Sequence, residues 1–139
     1  MYYVGVDIGG TGIKVGIVTD GGEIIAKGSI STSVKDGYEV IVKEMAKLIE
    51  DTVSDAKITP DDVASIGIGC PGSIDDRKGE VIYSNNLEFK NVPLCAELKK
   101  YIDKPIYINN DANCAALGEF FALGDDTVED FVAITLGTG

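Results

Sequence analysis

The apolar positions of the first thirty residues fall in three Val- and Ile-rich runs, Tyr3–Ile8, Ile13–Thr19 and Glu23–Ile30. Gly9–Gly12 and Asp20-Gly21-Gly22 separate them, and Asp-Gly between apolar runs is a hairpin signal. Three strands are expected. From Tyr38 to about Asp55 the period changes: Ile41, Met45, Leu48, Ile49 and Val53 recur at three- and four-residue steps, which predicts an amphipathic helix. Thr59-Pro60-Asp61-Asp62 then breaks the chain before a buried strand over Val63–Gly69.

Cys70-Pro71-Gly72 turns that strand into a polar, glycine-rich excursion, Ser73–Asn91, with short hairpin pieces expected around Val81–Tyr83. Pro93 sits where a first helical turn tolerates it, ahead of a helix over Leu94–Tyr101. A strand over Ile106–Ile108, a helix over about Ala112–Leu123 and a last strand over Asp130–Leu136 follow. Hairpin-linked strands followed by helix crossovers imply a mixed α/β sheet with helices packed on its faces. The last strand runs into Leu136-Gly137-Thr138-Gly139 in the middle of a glycine motif, so a fragment of a longer chain is expected.

Composition narrows the chemistry. At 139 residues, 45% hydrophobic and 25% charged, the chain reads as one soluble domain with a real core. Twelve basic against 23 acidic residues give a net charge of −11, which argues against nucleic acid or an anionic membrane as partner. A nucleotide stays open to it, given backbone dipoles and a metal ion. Met1–Val6 is too short and lacks the basic segment of a signal peptide, and no run approaches the ~20 apolar residues of a membrane span. Cys70, Cys95 and Cys114 are scattered and odd in number, so a reduced, cytoplasmic protein is expected. Histidine is absent, so a general base here has to be a carboxylate.

The glycine motifs separate on context. The P-loop pattern is absent, and Gly67-Ile68-Gly69-Cys70-Pro71-Gly72 spells a dinucleotide fingerprint but is followed by no helical period, so it counts as a chance match. Asp7-Ile8-Gly9-Gly10-Thr11-Gly12 lies between two strands. Such a hairpin can turn several N–H groups towards phosphate oxygens, with Thr11 adding a hydroxyl and Asp7 placed to hold a phosphate-bound Mg²⁺. It can equally be a turn whose backbone Asp7 bonds. In Asn109-Asn110-Asp111-Ala112-Asn113, Asp111 is a natural N-cap, but the surplus amides also suit a polyhydroxylated ligand with Asp111 accepting a hydroxyl proton. Ser84-Asn85-Asn86-Leu87-Glu88-Phe89 reads, alone, as solvated loop.

Taken in chain order, these segments resemble the ROK family of sugar kinases, especially its bacterial-type glucokinases, over essentially the whole chain. Asp7-Ile8-Gly9-Gly10-Thr11 is similar to the family's first phosphate motif, and Gly69-Cys70-Pro71-Gly72 to the turn after its fourth strand. Gly79-Glu80-Val81 and Asn85-Asn86-Leu87 resemble its sugar-side loop, Asn110-Asp111-Ala112-Asn113 its catalytic segment, and Leu136-Gly137-Thr138-Gly139 the start of its second phosphate motif. The resemblance implies an actin/hexokinase-like (ribonuclease H-like) ATPase domain, built on a mixed five-stranded sheet flanked by helices. The domain would span residues 1–125, and 126–139 would begin a second.

The same resemblance implies ATP-dependent phosphorylation of a hexose, glucose first, at the 6-hydroxyl. Asp111 would be the base, and Gly79, Asn86 and Asn110 would position the sugar. Asp7, Gly9, Gly10, Thr11, Gly12, Gly137, Thr138 and Gly139 would hold the nucleotide, with Asp7 on Mg²⁺. A homodimer is implied for the full-length protein, and the family's cysteine-rich zinc site and further sugar contacts would lie beyond Gly139. Lys14, in the second strand, is given no phosphate role. Kinases for N-acetylmannosamine, allose or fructose and sugar-responsive transcriptional repressors are the alternatives. The repressors carry a helix-turn-helix segment ahead of this domain. The start directly at strand one favours an enzyme if Met1 is the native start.

Overall fold

A computed structural model describes residues 1–136. Strands β1 (Tyr2–Gly9), β2 (Gly12–Thr19) and β3 (Ile24–Ser31) are followed by helix α1 (Tyr38–Asp55) and strand β4 (Val63–Cys70). The excursion holds β5 (Ser73–Asp75), β6 (Glu80–Ser84) and β7 (Phe89–Val92); helix α2 (Leu94–Leu98), strand β8 (Ile106–Asn110) and helix α3 (Asp111–Leu123) complete the order. The main sheet has five strands in the order β3-β2-β1-β4-β8, and β5-β6-β7 form a second, antiparallel sheet. β1, β2 and β3 pair antiparallel, whereas β1–β4 and β4–β8 pair parallel. This is the mixed five-stranded sheet expected from the sequence.

One face of the sheet makes the core. Val4, Val6 and Ile8 of β1, Ile13, Val15 and Ile17 of β2, and Ile66 and Ile68 of β4 are all buried. α1 covers that face with Ile41, Val42, Met45, Leu48, Ile49 and Val53. Each such aliphatic side chain contributes about 1.5–3 kcal/mol on leaving water, which fixes the strand faces, since a one-residue slip would exchange them. The opposite face carries the intervening residues: Gly5 and Asp7, Lys14 and Gly16, Gly67 and Gly69, Tyr107 and Asn109.

Two expected elements differ. The helix over Leu94–Tyr101 closes at Leu98, and the chain turns through Tyr101, where the amides of Tyr101 and Ile102 both bond the Leu98 carbonyl. Nothing apolar in Lys99-Lys100-Tyr101 is buried to hold another helical turn on the core. The strand over Asp130–Leu136 does not form: no strand of either sheet pairs with it, and Val132, Ile134 and Leu136 are 84%, 80% and 93% exposed. Its apolar pattern is real, but a strand needs a neighbour for its backbone groups. Gly137, Thr138 and Gly139 lie outside the described residues.

The turn after β4 depends on a missing side chain. Gly72 has φ of 113°, and a Cβ there would overlap the Tyr83 carbonyl oxygen and lie 2.9 Å from the Ser84 Cα. No helix follows, so the Gly67–Gly72 run is not a dinucleotide fingerprint. Gly72→Ala should therefore destabilise the protein by about 2–4 kcal/mol, from backbone strain together with overpacking, read as the drop in unfolding free energy in urea titrations. A neighbouring control, Ser73→Ala, sits exposed on β5 and should change it by less than ~0.5 kcal/mol.

Candidate active site

Parallel pairing of β1, β4 and β8 brings their carboxyl ends to one edge of the sheet, where ligands of open α/β sheets bind. Asp7 pairs with Gly69, and Gly69 with Asn109. Successive neighbours in such a row share a face, so Asp7 and Asn109 stand on the same side with a glycine between them. A Cβ on Gly69 would lie 3.5 Å from the Asp111 Cα and 3.7 Å from the Cys114 sulfur. The first turn of α3 thus rests against Gly69 of β4, where even an added methyl would make ordinary van der Waals contact. The carboxylates of Asp7 and Asp111 line one cleft of about 830 Å³, together with Lys14, Asn109 and Cys114.

The asparagines divide the work of starting α3. Asn110, rather than Asp111, is the N-cap: its Oδ1 accepts from the Ala112 and Asn113 amides at 3.0 and 3.3 Å. Its Nδ2 donates to the Gly72 carbonyl at 3.1 Å, tying the helix start to the turn after β4. Asn109 Oδ1 accepts from the Asn110 amide at 2.8 Å and from Asn113 Nδ2 at 3.1 Å. Asp111 is therefore the first helical residue. Its Oδ1 accepts from the Ala112 amide at 2.8 Å, and its Oδ2 has no hydrogen-bond partner among the described residues. A carboxylate held by one oxygen and free at the other, on the wall of a cleft, is a group that can accept a proton from a bound hydroxyl.

The glycine hairpin closes tightly. Gly9 pairs with Gly12, leaving Gly10 and Thr11 as the turn, and none of the three glycines needs a positive φ. Close approach explains two of them: a Cβ on Gly10 would lie 2.9 Å from the Asn86 carbonyl oxygen, and one on Gly12 2.6 Å from that of Ile30. The Gly10 contact seats the hairpin tip against the Asn86 loop, which joins two segments 76 positions apart in number into one wall. Asn86 itself is exposed. Gly79, with φ of 69°, is buried beneath Cys95, whose amide donates to the Gly79 carbonyl at 3.0 Å. Asp7, Asp111 and the hairpin thus gather at one edge with Asn86 beside them, while Gly79 is engaged in packing the excursion onto α2.

Burial disfavours the thiolate at all three cysteines. Burial, and then the Asp111 carboxylate, push the Cys70 thiol up to about 12; burial pushes Cys95 up to about 11. Cys114 is raised by burial first, then by the carboxylates of Asp111 and Asp7, which line the same cleft. Sequence reasoning gave Lys14 and Cys114 no site role and named Asn109 only among the surplus amides. A signal existed for the first: a Gly9–Gly12 turn fixes the hairpin register, and that register sets residue 14 opposite residue 7.

The family profile of ROK proteins matches residues 3–139. The chain belongs to the ROK family. It is 37% identical to a glucokinase of Halalkalibacterium halodurans over 138 residues, which cover 99% of this chain and 42% of that protein. It is 32% identical over 136 residues to a xylose repressor of Caldicellulosiruptor bescii, covering 98% of this chain and 34% of the repressor. Among solved structures, a ROK family glucokinase from Streptomyces griseus, in complex with glucose and AMPPNP, superposes with a TM-score of 0.80 at 30% identity, over 91% of this chain and 38% of that one. The ROK chain described here thus spans less than half the length of these relatives, and its fold is the actin/hexokinase-like one.

The Asn110 cap is open to a direct test. Asn110→Ala removes both the cap and the link to Gly72 and should cost about 1–2 kcal/mol in urea unfolding. Asn110→Asp keeps the capping acceptor but not the donor to the Gly72 carbonyl, and should recover only the capping part of that loss.

Proposed function

We propose that the protein to which this span belongs is an ATP-dependent hexose kinase, with glucose as its first candidate substrate. The observation that carries the reading is Asp111: a carboxylate on the wall of the cleft that Asp7 also lines, with one oxygen fixed by the start of α3 and the other without a partner among the described residues. In the proposed reaction the sugar's 6-hydroxyl oxygen attacks the γ-phosphorus of ATP. The hydroxyl proton passes to Asp111 Oδ2, the new O–P bond forms, and the bond to the bridging oxygen breaks to release ADP. Positioning and charge neutralisation dominate such transfers, which suits a site without a nucleophile of its own.

Asp7 fits a metal-linked role. It is exposed to the cleft, carries no ion pair, and no group of three His, Cys, Asp or Glu residues able to hold a metal exists among the described residues. A chain that offers too few clustered donors to hold an ion by itself suits Mg²⁺ that arrives on nucleotide phosphates. The ion's contribution is to offset phosphate charge. Gly9, Gly10, Thr11 and Gly12 are proposed to face the phosphates, joined by Gly137, Thr138 and Gly139. Asn86, Asn110 and Gly79 are proposed on the sugar side, Asn110 chiefly by holding Asp111 in place. Residues 126–139 are read as the start of a second domain that completes the cleft. The free state of all three cysteines supports a reducing, cytoplasmic setting, and no described helix is long and apolar enough to cross a membrane.

A sugar-responsive regulator is the second reading, favoured by the identity to a xylose repressor. A coupled ADP-release assay on the full-length protein with glucose, mannose, N-acetylmannosamine, allose and fructose separates the two, since a regulator that binds sugar without turnover releases no ADP. In an active enzyme, Asp111→Asn should lower kcat by at least ~100-fold, the scale of a lost general base. KM for the sugar should change only modestly, because Asn still offers an oxygen, and the melting temperature should stay nearly level, because Asn110 holds the cap. Wild-type kcat in that variant would reduce Asp111 to a structural residue.

A further inference from the structure

Ser84 ends β6 and is wholly buried, yet its hydroxyl has no hydrogen-bond partner among the described residues. It is the only buried side-chain polar atom of those residues left in that state. A hydroxyl taken out of water and left unbonded carries its full desolvation cost, which an alanine in the same place would avoid. The serine stands where three segments meet. The turn after β4 lies against it: a Cβ on Gly72 would stand 2.9 Å from the Ser84 Cα and 3.0 Å from its Cβ. The Gly72 carbonyl accepts from Asn110 Nδ2 at 3.1 Å, which ties that turn to the start of α3 and so to Asp111. Ser84 is followed directly by Asn85 and Asn86, both exposed, and the Asn86 carbonyl meets the hairpin tip at Gly10.

The loop that leaves Ser84 is anchored at its base and middle but thinly bonded elsewhere. Ser84 pairs with Phe89 across the base, and Leu87 is buried in the core. The Glu88 amide reaches the Asn85 carbonyl at 3.3 Å and the Tyr83 hydroxyl reaches Asn85 Oδ1 at 3.3 Å, both beyond the usual hydrogen-bond range. Glu88 holds φ of 55°, a left-handed conformation that a side chain adopts at a cost. Long bonds, a strained residue and an unbonded buried hydroxyl all leave this loop something to gain from a small shift. We propose that Ser84 is a positioning residue for the sugar: when the sugar engages Asn86, loop and turn draw together and the Ser84 hydroxyl donates to a backbone carbonyl of the Gly72 turn, which holds Asn86 in its binding position. That bond forms only with sugar bound, so its free energy is expressed as sugar affinity. The proposal rests on the kinase reading above and on the sugar-side place given there to Asn86. Ser84 touches neither sugar nor phosphate, and no proton of the reaction passes through it.

The test combines thermal unfolding, calorimetric titration and kinetics on the full-length protein, with glucose as the probe or, where the sugar panel shows another substrate, with that sugar. Ser84→Ala should raise the melting temperature without ligand by about 1–4 °C, because the unbonded hydroxyl is gone. The Kd for glucose should rise at least ~5-fold, the worth of one hydrogen bond, and KM for glucose with it. Both kcat and KM for ATP should stay within ~2-fold, since the bond is made equally in the ground and transition states. Ser84→Cys keeps the volume but donates only weakly, and should show the same glucose loss, which separates the bond from the space. Unchanged glucose affinity in these variants would overturn the assignment. So would a lower melting temperature of Ser84→Ala without ligand, the mark of a hydroxyl already bonded to an ordered water, or equal losses for glucose and AMPPNP. A parent protein that neither binds nor phosphorylates any sugar of the panel would overturn the kinase reading itself, whereas an active parent with an indifferent Ser84 overturns this inference alone.

Discussion

The site hangs on one row of paired residues running across the main sheet: Ser29, Lys14, Asp7, Gly69 and Asn109. Because lateral partners in a sheet share a face, this register alone decides that a carboxylate, a cation and an amide look into one cleft. The row is held by the burial on the opposite face. Ile8, Ile13 and Ile68 occupy neighbouring positions there and are almost wholly buried. Any one-residue slip would bring those isoleucines to the cleft and Asp7 to the core, and the cost of burying an uncompensated carboxylate forbids it.

Beside that row the start of α3 packs over Gly69 of β4, which brings Asp111 to the cleft that Asp7 also lines. The asparagines then lock the start of the helix by three separate means: Asn110 caps it, Asn109 fixes the Asn110 amide, and Asn110 bonds the Gly72 turn. Strand, turn and helix are joined through backbone groups and short amides rather than through long flexible side chains. Such a construction loses little conformational entropy when ligand arrives and suits a site whose work is positioning.

The glycines of the opening hairpin illustrate how a motif can be recognised before its physical cause is known. Read along the chain, Gly9, Gly10 and Gly12 suggested a backbone freed to approach phosphate. In the fold, Gly10 and Gly12 are small because the Asn86 and Ile30 carbonyls press on them. The two causes are compatible: packing the hairpin tip against the Asn86 loop is what brings the phosphate side and the sugar side of the proposed site together.

Much of the architecture was determined by the sequence itself, because its signals are local. The bounds of α1, set by apolar residues at three- and four-residue steps, and the two hairpin turns, set by glycine, were legible directly; the pairing of Asp7 with Asp111 in one site was implied only by the family resemblance. Other features were decided only by tertiary structure. Which residue caps α3 depended on where Gly72 lies, 38 positions away. The run Asp130–Leu136 has strand-like composition but finds no partner here, and pairing, not composition, makes a strand. The Gly9–Gly12 turn already sets Lys14 opposite Asp7, but only the assembled sheet puts that pair on the open face. Periodicity along the chain fixes what a segment can become; which groups meet is fixed by lateral pairing between segments distant in sequence, and that information exists only once the sheet has formed.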